Sequence, residues 1–172
     1  MNFIRRYGGA MLWVVLLAAG LRAQISYLGG DYNQDFDSLP ASGSFTLSGS
    51  GPLPLNEPPI SAGGLAGWSF AKHAGTGANA TFFVGAGSGT AGGTYSFGAA
   101  SVPERALGSL GSGGVASRFG AVLRNDTGTT IAQFTLSYTG EQWRRGSAAG
   151  NRLTFAYAVG ATDINNGAFV AA

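Results

Sequence analysis

The clearest alternation of apolar and polar positions lies in residues 129–159. In 131–139 the apolar side chains fall at Phe134, Leu136 and Tyr138, with Gln133, Thr135, Ser137 and Thr139 between them. In 151–159 they fall at Leu153, Phe155, Tyr157 and Val159, again at every second residue. A period of two places one set of side chains on a buried face and the other in water, as in a half-covered antiparallel sheet. The pattern predicts two strands, joined by Gly140-Glu141-Gln142-Trp143-Arg144-Arg145-Gly146, a loop that concentrates charge and aromatic surface.

The rest of the chain reads in the same way. Strands are predicted at 25–28, 45–47, 68–71, 79–84, 94–97, 106–110 and 119–123. In 79–84, Ala80, Phe82 and Val84 alternate with Asn79, Thr81 and Phe83. Residues 49–59 carry Pro52, Pro54, Pro58 and Pro59, which lack amide donors and fix φ, so they are read as loop. Asn125-Asp126-Thr127-Gly128 is turn chemistry leading into Ile131, and Asn165-Asn166-Gly167 is a second turn. Outside the N-terminus no segment has a helical period. Short strands arriving every 10–15 residues or so predict an all-β antiparallel β-sandwich of jelly-roll type. A strand begun at 168–170 without a partner predicts a sandwich that is incomplete at the C-terminus.

The N-terminus changes this picture. Arg5 and Arg6 precede an uncharged apolar run, residues 10–21, which ends in Leu21-Arg22-Ala23 before Gln24. That is the layout of a secretory signal, and a run of about 12 residues is short of the roughly 20 needed to span a bilayer. An uncleaved anchor is the competing reading. The organisation expected is therefore a signal peptide at 1–23 and a single β-sandwich domain at 24–172, secreted or at the cell surface, with no stable membrane span once the signal is cleaved.

Loss of Arg5, Arg6 and Arg22 leaves seven basic residues against eight acids, so the net charge passes from +2 to −1. No basic stripe remains to neutralise several phosphates, and nucleic acid is not an expected partner. The absence of cysteine in an exported chain excludes a disulfide framework and thiolate chemistry. Thirty glycines with only 10% charged residues fit many short strands and tight turns, and 12% aromatics supply a core that a disordered chain would lack.

An ordered series of motifs now stands out. Residues 32–40 read Tyr-Asn-Gln-Asp-Phe-Asp-Ser-Leu-Pro, followed by Gly67-Trp68, Tyr95-Ser96-Phe97-Gly98 and Glu104-Arg105-Ala106-Leu107-Gly108-Ser109-Leu110. Phe119-Gly120-Ala121-Val122 and the stretch from Ser137 to Arg144 complete it. Over nearly all of residues 24–170 this series resembles the N-terminal β-sandwich module of large secreted or surface bacterial proteins of the PEP-CTERM sorting-signal type. The resemblance implies a module without an activity of its own. Such proteins continue into further strands with an acidic Trp-Thr-Asp-type segment, which this sequence lacks.

Catalytic patterns are weak by comparison. Gly87-Ser88-Gly89-Thr90-Ala91-Gly92 matches a dinucleotide fingerprint, but that motif needs a following helix and Tyr95-Ser96-Phe97 predicts a strand. Ser69 and Lys72 have Ser-x-x-Lys spacing, which brings amine to hydroxyl only on a helix. His73 is the single histidine, so neither a His-based metal site nor a Ser-His-Asp triad can be assembled. Paired carboxylates of glycosidase type lack a recognisable setting. Asp35, Asp37, Asp126 and Asp163 are turn residues whose oxygens could serve calcium or, more simply, cap the turns. No catalytic residue, cofactor or metal is therefore expected, and the chain is read as a non-enzymatic structural or adhesive module.

Glu141, Gln142, Trp143 and Arg144 form the tentative ligand-binding set. An exposed indole flanked by carboxylate, amide and guanidinium groups could stack on a sugar of a surface or extracellular polysaccharide, which makes a carbohydrate-binding module the alternative. The structural expectation differs: Trp143 buried over the sandwich edge, its N–H on a backbone carbonyl, and Glu141 paired with Arg144 or Arg105.

Overall fold

Alternating and β-branched segments form eleven short strands in the computed structural model, which describes residues 23–146 and 152–172. The signal-peptide assignment falls on residues outside this range, apart from Ala23. The strands are β1 (Ile25–Tyr27), β2 (Ser44–Leu47), β3 (Leu53–Pro54), β4 (Trp68–Ala74), β5 (Ala80–Gly85) and β6 (Gly93–Phe97). They continue with β7 (Ala106–Leu110), β8 (Ala116–Ala121), β9 (Leu123–Asn125), β10 (Ala156–Tyr157) and β11 (Val170–Ala171). No helix occurs among the described residues.

Two sheets make the body, one of four strands in the order β2-β5-β6-β7 and one of three in the order β3-β4-β8. In the first, Phe82 lies opposite Phe45 on one side and Thr94 on the other, so these side chains share the inner face. In the second, Leu53, Phe70 and Phe119 are cross-strand partners. The sheets meet where the rings of Phe70 and Phe82 approach to 5.5 Å, and both residues are fully buried. Leu39, Leu55, Ile60 and Leu65 close the same core from the connections. Each fully buried aromatic or aliphatic side chain contributes about 1.5–3 kcal/mol relative to exposure. The chain is thus an all-β, sandwich-like fold.

Its strand pairing is mixed rather than purely antiparallel. β5 and β6 run parallel, as do β1 and β9. Parallel neighbours need a connection that returns along the sheet, and here the glycine-rich residues 86–92 make that return. Thr81 Oγ1 donates to the Gly92 carbonyl at 2.9 Å and the Tyr95 hydroxyl to the Ala91 carbonyl at 2.7 Å, which fastens it. The proline-rich stretch also contains a strand that its prolines argued against: Leu53–Pro54 pairs with β4 at a sheet edge, where a missing amide is tolerated.

The motif at 32–40 is clasped to the body. Phe36 packs edge-on against Trp68 at 4.8 Å, the Trp68 indole donates to the Tyr32 hydroxyl at 2.8 Å, and Ser96 Oγ donates to the Pro40 carbonyl at 2.7 Å. At the other end, Arg118 Nη1 donates to the Ile164 carbonyl at 2.9 Å and its guanidinium lies 5.0 Å from the Phe169 ring centre. β11 pairs with β10, so the terminal strand expected to be partnerless has a partner.

The predicted hairpin is the main difference. Residues 131–139 belong to no strand, and of the described residues 152–159 only Ala156–Tyr157 does, paired with β11 rather than with 131–139. Phe134, Leu136, Tyr138, Leu153 and Val159 are all exposed. The alternation specifies which side chains could share a face; burial also requires a neighbouring strand in register, and among the described residues none supplies one for 131–139.

Candidate functional site

The outer face of the four-stranded sheet positions the Trp143 loop. On β6, Tyr95 and Phe97 point away from the inner-face residues Thr94 and Ser96, and Phe83 of β5 is the cross-strand partner of Tyr95. The rings form a row: Phe83 to Tyr95 at 5.2 Å, Tyr95 to Phe97 at 4.7 Å and nearly parallel, and Phe97 to Trp143 at 6.1 Å with planes 5° apart. Gly108, opposite Tyr95 on β7, makes room for this row, since a Cβ there would stand 2.8 Å from the Phe97 ring.

Trp143 is half-buried against Phe97. Its indole N–H donates to the Glu141 carboxylate at 2.8 Å, not to a backbone carbonyl. Arg144 fastens the loop: Nη1 donates to the carbonyls of Gly87, Ser88 and Gly89 at 3.4, 3.2 and 2.8 Å. Gly87 is required at this junction, because its φ is +88° and a Cβ would stand 1.9 Å from the Trp143 carbonyl oxygen. The Gln142 amide donates to the Arg144 carbonyl at 3.3 Å, while Glu141 and Gln142 stay exposed. Burial pushes the Tyr95 phenol above its ordinary pKa, and the nearby Arg144 guanidinium draws it partly back.

The structure therefore brings Glu141, Gln142, Trp143 and Arg144 together, with their polar groups turned mostly onto the chain. Glu141 pairs with neither Arg144 nor Arg105: among the described residues the ion pair is Arg124–Asp126, at 2.9 Å. Arg105 is buried, its Nη2 donating to the carbonyls of Ala99 and Val102, and its backbone N–H donates to Asp37 Oδ1. Sequence reasoning missed this role; the only signal was the place of Arg105 in the motif series. It also missed Gly87–Gly89 as an acceptor cradle, visible only as a glycine cluster.

The weaker constellations fall elsewhere. Residues 87–92 connect two strands, with no helix to receive a phosphate. Ser69 and Lys72 lie three apart on β4, facing opposite sides, and His73 is exposed near the end of that strand. Asp35 Oδ1 accepts the Asp37 N–H, and Asp163 Oδ1 accepts the N–H groups of Asn165 and Asn166. No group of three or more acidic or histidine side chains among the described residues is arranged to hold a metal. A hollow of about 20 Å³ lined by Pro54, Asn56, Trp68, Ser69, Thr162 and Asp163 has room for one water. No helix among the described residues is long and apolar enough to cross a membrane.

No family model, curated protein or solved structure matches this chain.

Proposed function

We propose that this chain is a non-enzymatic structural or adhesive module of an exported bacterial protein, secreted or at the cell surface, as the resemblance of its motif series to the N-terminal module of PEP-CTERM-type proteins implies. One observation carries the reading: seven of its charged side chains act as fasteners. Asp35, Asp37 and Asp163 hold backbone amides, Arg105, Arg118 and Arg144 hold backbone carbonyls, and Glu141 holds an indole. Groups engaged in this way fix loops to a sheet scaffold rather than face a substrate. The leader supports export, and the net charge of the mature chain supports a partner other than nucleic acid. Screening the exported chain against a broad hydrolase substrate panel tests this. No turnover is expected; turnover abolished by a single carboxylate-to-amide change would contradict it.

The second reading is a carbohydrate-binding module centred on Glu141, Gln142, Trp143 and Arg144, with a polysaccharide as partner. What favours it is that Trp143 remains half-exposed beside the exposed Glu141 and Gln142. A glycan array compared between the wild type and Trp143→Ala decides. Binding lost in the variant establishes this reading, and binding that is absent or indifferent to the change removes it.

A further inference from the structure

Residues 131–139 have three properties that belong together. They are uncharged, contain neither proline nor glycine, and alternate with a period of two. They join no sheet, and none of 131–140 hydrogen-bonds to any described residue. Their apolar side is open to water, with Phe134 58%, Leu136 46% and Tyr138 71% exposed. The segment is nevertheless held at both ends. Asn125 Nδ2 donates to the Thr129 carbonyl at 2.7 Å on one side, and Arg144 is locked to Gly87–Gly89 on the other. A strand-competent segment fixed at its ends and unpaired between them presents a free row of backbone donors and acceptors.

We infer that residues 131–139 pair with the same segment of a second copy of this chain, making a homotypic β-strand contact. This goes beyond the module reading, which requires no self-recognition. The identity of the occupant follows from charge. A segment without acidic or basic side chains, and so uncharged at neutral pH, meets its own copy with no like-charge opposition, and a mature net charge of −1 adds little repulsion between whole chains. Period-two alternation makes it self-complementary: antiparallel pairing about Thr135 sets Phe134 of each copy opposite Leu136 of the other, with Tyr138 on the same face. High β propensity, neutrality and the absence of proline are what such pairing demands.

Sedimentation equilibrium of the chain recovered after export, from roughly 1 to 100 µM, tests the contact. A monomer–dimer equilibrium is expected, with the dissociation constant raised at least tenfold by Leu136→Lys and by Phe134→Lys. Both side chains are exposed, so the melting midpoint of the monomer should not move. Amide hydrogen exchange keeps the inference exposed if a variant misfolds: protection at 131–139 should grow with wild-type concentration. A monomer mass throughout, a dimer indifferent to both lysine variants, or full protection of 131–139 in dilute monomer would each overturn it.

Discussion

Residues 80–85 and 131–139 carry nearly the same alternation and come to opposite ends. In β5, Phe82 is flanked by β2 and β6 and is fully buried; in 131–139, Phe134 and Leu136 have no neighbouring strand and stand in water. The local pattern determines which side chains lie together. The neighbour determines whether that face is worth anything to stability. Cross-strand contacts and inter-sheet packing, not propensity, are where the energy lies.

The contrast can be broken at several points. Phe82→Ala removes a ring touching both Phe70 and Phe45 and should cost about 3–5 kcal/mol, read as a large drop in the urea midpoint. Phe134→Ala in monomer should stay within about 0.5 kcal/mol of wild type. If the two variants fell equally, the second region would be packed after all.

Gly87→Ala tests how the Trp143 loop is joined to the sheet. A left-handed backbone and a collision with the Trp143 carbonyl should cost about 1–3 kcal/mol and release the loop, whereas Gly111→Ala, with open space around it, should be nearly silent. Trp143→Ala should be milder than a core truncation, about 1–2 kcal/mol, because the indole is only half-buried. An unmoved midpoint would mean that the Phe97–Trp143 stack and the Arg144 clasp hold nothing together.

The smallest effect is a pH dependence at the β1–β9 junction. The Ser26 hydroxyl, and after it Arg124, hold the Asp126 carboxyl below its ordinary range. A depressed carboxylate stabilises the fold above its unfolded pKa and loses that contribution as pH falls through the folded one, so the window lies below about pH 4. Melting midpoints of wild type and Asp126→Asn should differ slightly at neutral pH and converge in acid. A gap that widened in acid would reverse the sign and contradict this role.

Much of the fold was legible because its strands are bounded by strong punctuation. Gly87, Gly89 and Gly92 ahead of β6, and Gly111, Gly113 and Gly114 between β7 and β8, mark connections, and strands stand between them. The parallel β5–β6 pairing was not legible. Nothing local distinguishes a glycine-rich hairpin from a glycine-rich return, and only the register of Phe82 opposite Thr94 separates them. At the candidate site, the cluster from Glu141 to Arg144 was visible as composition, but its anchor was not. The acceptors for Arg144 are backbone carbonyls more than fifty residues away, and carbonyls carry no sequence signature. The hairpin predicted from 131–139 and 151–159 is not formed among the described residues, because alternation specifies a face and not the strand that covers it.

Amide hydrogen exchange on dilute, monomeric chain tests the division between these two regions most directly. Amides of β5 and β6 should exchange only with global opening, while those of 131–139 should exchange at rates near those of an unfolded peptide. Equal protection in both would show that the alternating segment is paired within its own chain, and would contradict the account.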